Sequence, residues 1–207
     1  MDRFEEGYRR FRKGDWRKQR ELFEQLAEQG QSPKTMVLGC CDSRVDPQRI
    51  FDVGPGEFFV ARNVANLAPP YSPDSKFHGT SAALEFAVKG LKVEDIVVMG
   101  HGRCGGAGAL LHGAPDGLDD FLASWVNIAK EARVRVMAMN LLEEERQTKI
   151  EHEIVKVSVA NLLTFPWVRD RVDQGELKLH GFWFDILSGE LWRLGEDGQF
   201  FPENFDA

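Results

Sequence analysis

The sequence predicts an α/β fold: a mostly parallel central sheet of four strands plus a short edge strand, helices on both faces, and an N-terminal helical arm. Three observations carry this. Short apolar runs at 35–39 (TMVLG), 58–61 (FFVA), 95–99 (DIVVM) and 177–184 (LKLHGFWF) have the length and the β-branched or aromatic content of buried strands. Longer segments with apolar residues at helical spacing separate them, at 81–88, 118–139 and 143–163. Strands alternating with helices imply crossover connections, and these place neighbouring strands parallel.

Taken in order, residues 3–29 read as two helices broken near Gly14-Asp15, with Asp15 as the N-cap of the second. Phe4, Tyr8 and Phe11 share a face of the first helix, and Leu22, Phe23 and Leu26 form the stripe of the second. The first helix is too short to be stable alone, so it must pack on something, such as a second subunit. The strand at 35–39 ends at Cys40. The turn Gly54-Pro55-Gly56 introduces the strand at 58–61, and the strand at 95–99 ends at Gly100-His101. Residues 191–194 form the short edge strand. Without repeats, low-complexity tracts or an interdomain linker, the expected organisation is one domain over 1–207, with 1–30 as the arm.

The chain has 207 residues, 43% hydrophobic and 29% charged, enough for one α/β domain with a real core. Its net charge of -7 argues against nucleic acid or an anionic membrane as partner, because no basic excess exists to hold phosphates. Three cysteines make no disulfide framework and point to a reducing compartment. Asp2, Glu5 and Glu6 do not suit a transit peptide, and no apolar run approaches the ~20 residues of a membrane helix. The expected location is the cytoplasm.

Two stretches carry the chemistry, Cys40-Cys41-Asp42-Ser43-Arg44 and His101-Gly102-Arg103-Cys104. Each begins where a strand ends, which is where parallel sheets bind ligands. Two thiolates and an imidazole suit zinc, and three protein ligands leave a fourth position open, as in catalytic sites. Side chains alternate along an extended segment, so Cys40 and Asp42 should share a face. Cys41 then points away, as a small buried hydrophobe. Residues 100–105 also spell G-x-G-x-x-G. A dinucleotide site would need a long helix and then an acid at a strand end about 20 residues on. Gly108 and Gly113 interrupt the following segment, and Asp119 and Asp120 open a helical stretch. A phosphatase-type loop would need arginine six positions after its cysteine, where Asp46 stands.

These residues resemble the β-class carbonic anhydrases. The resemblance rests on Cys40-x-Asp42-Ser43-Arg44-Val45, on Arg62-Asn63-Val64-Ala65-Asn66, on Gly79-Thr80-Ser81-Ala82-Ala83-Leu84-Glu85 and on Gly100-His101-x-x-Cys104-Gly105-Gly106. It is strong over roughly residues 31–110 and weak through His180-Gly181. It implies one zinc ion per chain held by Cys40, His101 and Cys104, beside a dyad of Asp42 and Arg44. It implies reversible hydration of carbon dioxide to bicarbonate, with hydrolysis of carbonyl sulfide or carbon disulfide as the alternative at the same metal. Gln31, in Gly30-Gln31-Ser32-Pro33, matches the substrate-binding glutamine of plant-type members. Phe59 and Val64 match their pocket residues, and Phe86 stands where they have tyrosine. A bicarbonate-regulated branch has tryptophan and tyrosine where this chain has Val37 and Phe184, so no switch of that kind is expected. The resemblance also implies a homodimer, or a tetramer, with sites at the subunit boundary.

Overall fold

A computed structural model describes residues 2–74 and 76–203. Six strands form one sheet: β1 (Thr35–Cys40), β2 (Phe58–Asn63), β3 (Asp95–His101), β4 (Lys178–Phe184), β5 (Leu191–Leu194) and β6 (Phe200–Pro202). Their order is β2-β1-β3-β4-β5-β6. The first four pair in parallel, and β5 and β6 close the sheet antiparallel. The chain leaves β1 for β2 on one side, and β3 lies on the other. The crevice between the carboxyl ends of β1 and β3 is therefore the switch point of the sheet, where such folds bind ligands.

The helices are α1 (Asp2–Lys13), α2 (Asp15–Lys18), α3 (Arg20–Gln29), α4 (Pro47–Ile50), α5 (Gly79–Glu85), α6 (Gly105–His112), α7 (Leu122–Val126), α8 (Lys130–Met137), α9 (Glu143–Leu162) and α10 (Pro166–Asp173). Alternation along the central strands divides the core. Met36, Leu38, Ile96 and Val98 pack with Leu84 and Val88 from the α5 region and with Val168 of α10. Val37, Val97 and Met99 pack with Leu110 of α6 and Val136 of α8. The long helix α9 gives Ile150 and Ile154 to the second layer, and Val155 and Leu162 to the first.

The structure departs from the sequence reading in several elements. The arm has three helices. Gly14 sits at the N-cap of α2, Asp15 is its first residue, and no side chain caps it. The stretch 118–139 is two helices joined by a 3-10 turn at Asn127–Ala129, and it starts at Leu122, after a turn over 119–121. The segment at 81–88 starts at Gly79 and closes in a π-helical turn, Phe86–Leu91, ending on left-handed Lys92. Helices α4, α6 and α10 and strand β6 have no counterpart in the periodicity. They are short, glycine-rich or proline-bearing, so pattern alone is silent.

The arm docks through Leu26. A Cβ on Gly56, which has φ +89, would fall 2.8 Å from Leu26 Cδ2. Phe11 meets Phe23 edge-on at 6.2 Å, but Phe4 and Tyr8 stay largely exposed. No helix among the described residues is long and apolar enough to cross a membrane.

Candidate metal centre

Because β1 and β3 are neighbours, the end of one strand and the end of the other deliver Cys40 and His101 side by side. Cys104 returns after a two-residue turn in which Arg103 adopts a left-handed φ of 55°. The Gly102 N–H is anchored on the Phe184 carbonyl at 2.9 Å. All three side chains are buried, and their ligand atoms lie within 4.8 Å of one another.

His101 states what the cluster wants. Its Nδ1 lies 2.9 Å from the Gly102 carbonyl, which can only accept, so Nδ1 carries the proton. Nε2 is left with a free lone pair, and it is buried without a partner. An orphaned acceptor beside two sulfurs 3.9 Å apart is a donor set for a borderline-soft cation. The sulfurs already press on each other. The hydrogen bond between the two sulfurs holds the Cys40 thiol far below its ordinary range and pushes that of Cys104 up. A cation in place of the shared proton lets both ionise.

Asp42 and Arg44 stand beside this cluster. Arg44 donates from Nε to Asp42 Oδ1 at 2.9 Å and from Nη2 to Oδ2 at 2.6 Å, and its backbone N–H reaches Oδ1 at 3.0 Å. These bonds hold the Asp42 carboxyl well below the usual carboxylate range. Asp42 Oδ2 is 3.9 Å from His101 Nε2. Arg44 Nη2 also donates to the Arg103 carbonyl at 3.1 Å, tying the dyad to the turn between the two later ligands. Arg62 supports the loop from below. It donates to the carbonyls of Cys40 at 2.7 Å, Asp42 at 2.7 Å and Val45 at 3.1 Å. Asp46 caps α4 by accepting the Gln48 N–H.

Val64 lies against the metal loop. Its Cγ1 is 2.7 Å from where a Cβ on Gly106 would be, and its carbonyl accepts the Trp125 indole N–H at 2.8 Å. Gln31, Phe59 and Phe86 are not brought to the metal of their own chain. Phe59 pairs with Met36, four residues before Cys40, so it sits about 13 Å back along the strand. Phe86 packs on it with ring centroids 5.7 Å apart and remains half-exposed. Gln31 is exposed and precedes the far end of β1. Cys41 is exposed, not buried: the strand ends at Cys40 and alternation stops with it.

The sequence reading missed Gln147 and Glu151. Both reach Cys104 from α9, and Glu151 is buried. A charged residue beside Ile150 and Ile154 on the apolar side of a helix was the available signal.

A family model described as carbonic anhydrase matches residues 35–191. The chain is 41% identical over 203 residues to "Beta carbonic anhydrase 6, mitochondrial" of Arabidopsis thaliana, covering 95% of this chain and 69% of that protein. The solved structure of the β-carbonic anhydrase CcaA superposes with a TM-score of 0.89 at 32% identity, covering 100% of this chain and 93% of that one. A tetrameric β-carbonic anhydrase from Sordaria macrospora gives 0.81 at 31% identity, over 94% and 98%.

Proposed function

Because the chain belongs to the carbonic anhydrase family, in its β class, we infer that Asp42 and Arg44 are the catalytic pair of a zinc enzyme that reversibly hydrates carbon dioxide to bicarbonate and a proton. Cys40, His101 and Cys104 suit one zinc ion per chain. Zinc bound there supplies a Lewis acid that lowers the pKa of a water, so that a nucleophile exists near neutral pH.

The observation that carries the dyad's role is its position. Asp42 offers an ionised oxygen 3.9 Å from the unpartnered nitrogen of His101, close enough to accept a hydrogen bond from a water at the centre. Accepting that bond aims a lone pair at the substrate and takes up the proton's direction. Arg44 acts on Asp42 by a forked, charge-assisted pair, which keeps the carboxylate ionised and engages both of its oxygens, so that it would be held back from ligating a metal itself. Val64 forms part of the apolar wall that an uncharged gas needs.

Gln31, Phe59 and Phe86 serve the site of a second copy, with Gln31 as the hydrogen-bond donor to substrate. Their distance from the metal of their own chain supports this reading, and so do the exposed Phe4, Tyr8 and Phe86. The working unit is then a homodimer or a pair of dimers; the Sordaria macrospora relatives are tetrameric. The cytoplasm is the location proposed with this activity. The Arabidopsis relative, named as mitochondrial, extends beyond the matched 69% of its length.

Arg44→Ala tests the dyad. It should retain one zinc per chain and lose at least ~100-fold in carbon dioxide hydration, the scale of a positioned proton-accepting group. Unchanged turnover with zinc in place would refute the role.

A further inference from the structure

Cys104 differs from the other two ligands in how its backbone is held. Cys40 and His101 belong to strands and are each paired in a ladder, Cys40 with Asn63 and His101 with Phe184. Cys104 follows the left-handed Arg103 and precedes α6, so no ladder reaches it. Its C=O accepts the Gly108 N–H of α6 at 3.0 Å, and both its N–H and its C=O are met by side chains of α9. Glu151 Oε1 accepts the Cys104 N–H at 2.9 Å, and Gln147 Nε2 donates to the Cys104 carbonyl at 3.1 Å. Gln147 and Glu151 stand one helical turn apart on the same face. They are joined to each other by Gln147 Nε2 to Glu151 Oε1 at 2.7 Å. The other oxygen of Glu151 accepts the Trp183 indole N–H at 3.1 Å.

Glu151 is 3% exposed, and its three donors are all uncharged. A buried acid with no compensating cation among those donors is expensive to keep. The hydrogen-bond pattern explains why it is an acid. Donors approach both oxygens, and a carboxyl group can accept at both, which a glutamine amide cannot. A glutamine there would turn an NH2 group either on the Trp183 indole N–H or on the Cys104 and Gln147 donors.

We propose that Glu151, with Gln147, is a positioning residue of the metal centre: it clamps the backbone of Cys104 and so sets how tightly the chain retains zinc. This rests on the zinc reading above. Groups that orient metal ligands change metal affinity by roughly 10- to 100-fold when removed. The clamp also gives α9 a function besides covering the sheet. It couples the metal loop to the core through Ile150 and Ile154 on the same helix.

The test follows zinc loss from purified holoenzyme into excess chromophoric chelator, for wild type, Glu151→Gln and Gln147→Ala. The absorption of the cobalt-substituted forms reports the sulfur geometry. Glu151→Gln should still load one metal per chain but release zinc at least ~10-fold faster, with a shifted cobalt spectrum. Gln147→Ala should show the same changes, smaller. Wild-type release rates and spectra in both folded variants would overturn the clamp. If Glu151→Gln does not fold, Gln147→Ala decides alone: faster release supports the proposal, and an unchanged rate overturns it. Wild-type protein without zinc would instead overturn the metal reading on which the clamp depends.

Discussion

Two histidines in this chain show what a partner does to an imidazole. His101 has one nitrogen engaged by a carbonyl and the other free among sulfurs, and so is suited to hold a metal. His152, on α9, stacks on Phe200 at 4.1 Å and meets Trp183 edge-on at 4.8 Å, with Nε2 buried and unpartnered. Burial, and then Lys149 and Lys156, push its pKa down to about 4. A base whose folded pKa lies below its ordinary 6.5 is bound to a proton more readily in the unfolded chain. Stability is therefore full above that value and falls as pH drops from 6.5 to about 4, by at most about 3 kcal/mol. The melting temperature of wild type should fall more steeply over that window than that of His152→Phe, which keeps the stacking. Parallel curves would contradict the assignment. At this scale the sequence was informative where spacing was local. Cys40, Asp42 and Arg44 lie within five positions, and His101 and Cys104 within four. Glu151 was hidden because its partner is 47 positions away.

Between β2 and α6, the fit is set by the turn Val64–Asn66, where Ala65 and Asn66 hold left-handed φ values of 63° and 46°. That turn presses on Gly106, where a Cβ would meet Val64 Cγ1 at 2.7 Å and Ala65 Cβ at 2.9 Å. A Cβ on the adjacent Gly105 would meet nothing within 4 Å. Gly106→Ala should cost about 1–3 kcal/mol, because neither neighbour can retreat without moving the metal loop. Gly105→Ala should be neutral or slightly stabilising, by a few tenths to about 1 kcal/mol. Thermal denaturation of the two variants side by side checks this; equal stability would contradict the packing. The glycines after Cys104 made the sequence look interrupted, yet a helix begins there. Close approach of a neighbouring turn, invisible in one-dimensional periodicity, accounts for Gly106. Strand positions were readable because all four runs are apolar, with β1 and β3 buried on both faces and β2 and β4 partly buried. Helix 118–139 was misread because an apolar pattern does not register a 3-10 turn.

For the whole molecule, the sheet order makes the metal centre. With β1 next to β3, segments 61 positions apart in sequence place Cys40 and His101 within ligand distance. Parallel topology was inferable from alternation, but that adjacency was not, since it depends on which way each crossover turns. The same topology leaves Phe59 back along the strand from Cys40, with Phe86 packed on it and Phe4 and Tyr8 of the arm exposed, and the proposal of a second copy rests on these placements. Joining metal analysis to stopped-flow carbon dioxide hydration, on wild type and Cys40→Ala, tests the central claim most directly. One zinc per chain with rapid hydration, both lost in the variant, is the expected result. Rapid hydration persisting in a zinc-free Cys40→Ala protein would contradict it, as would wild type that binds zinc and does not hydrate carbon dioxide.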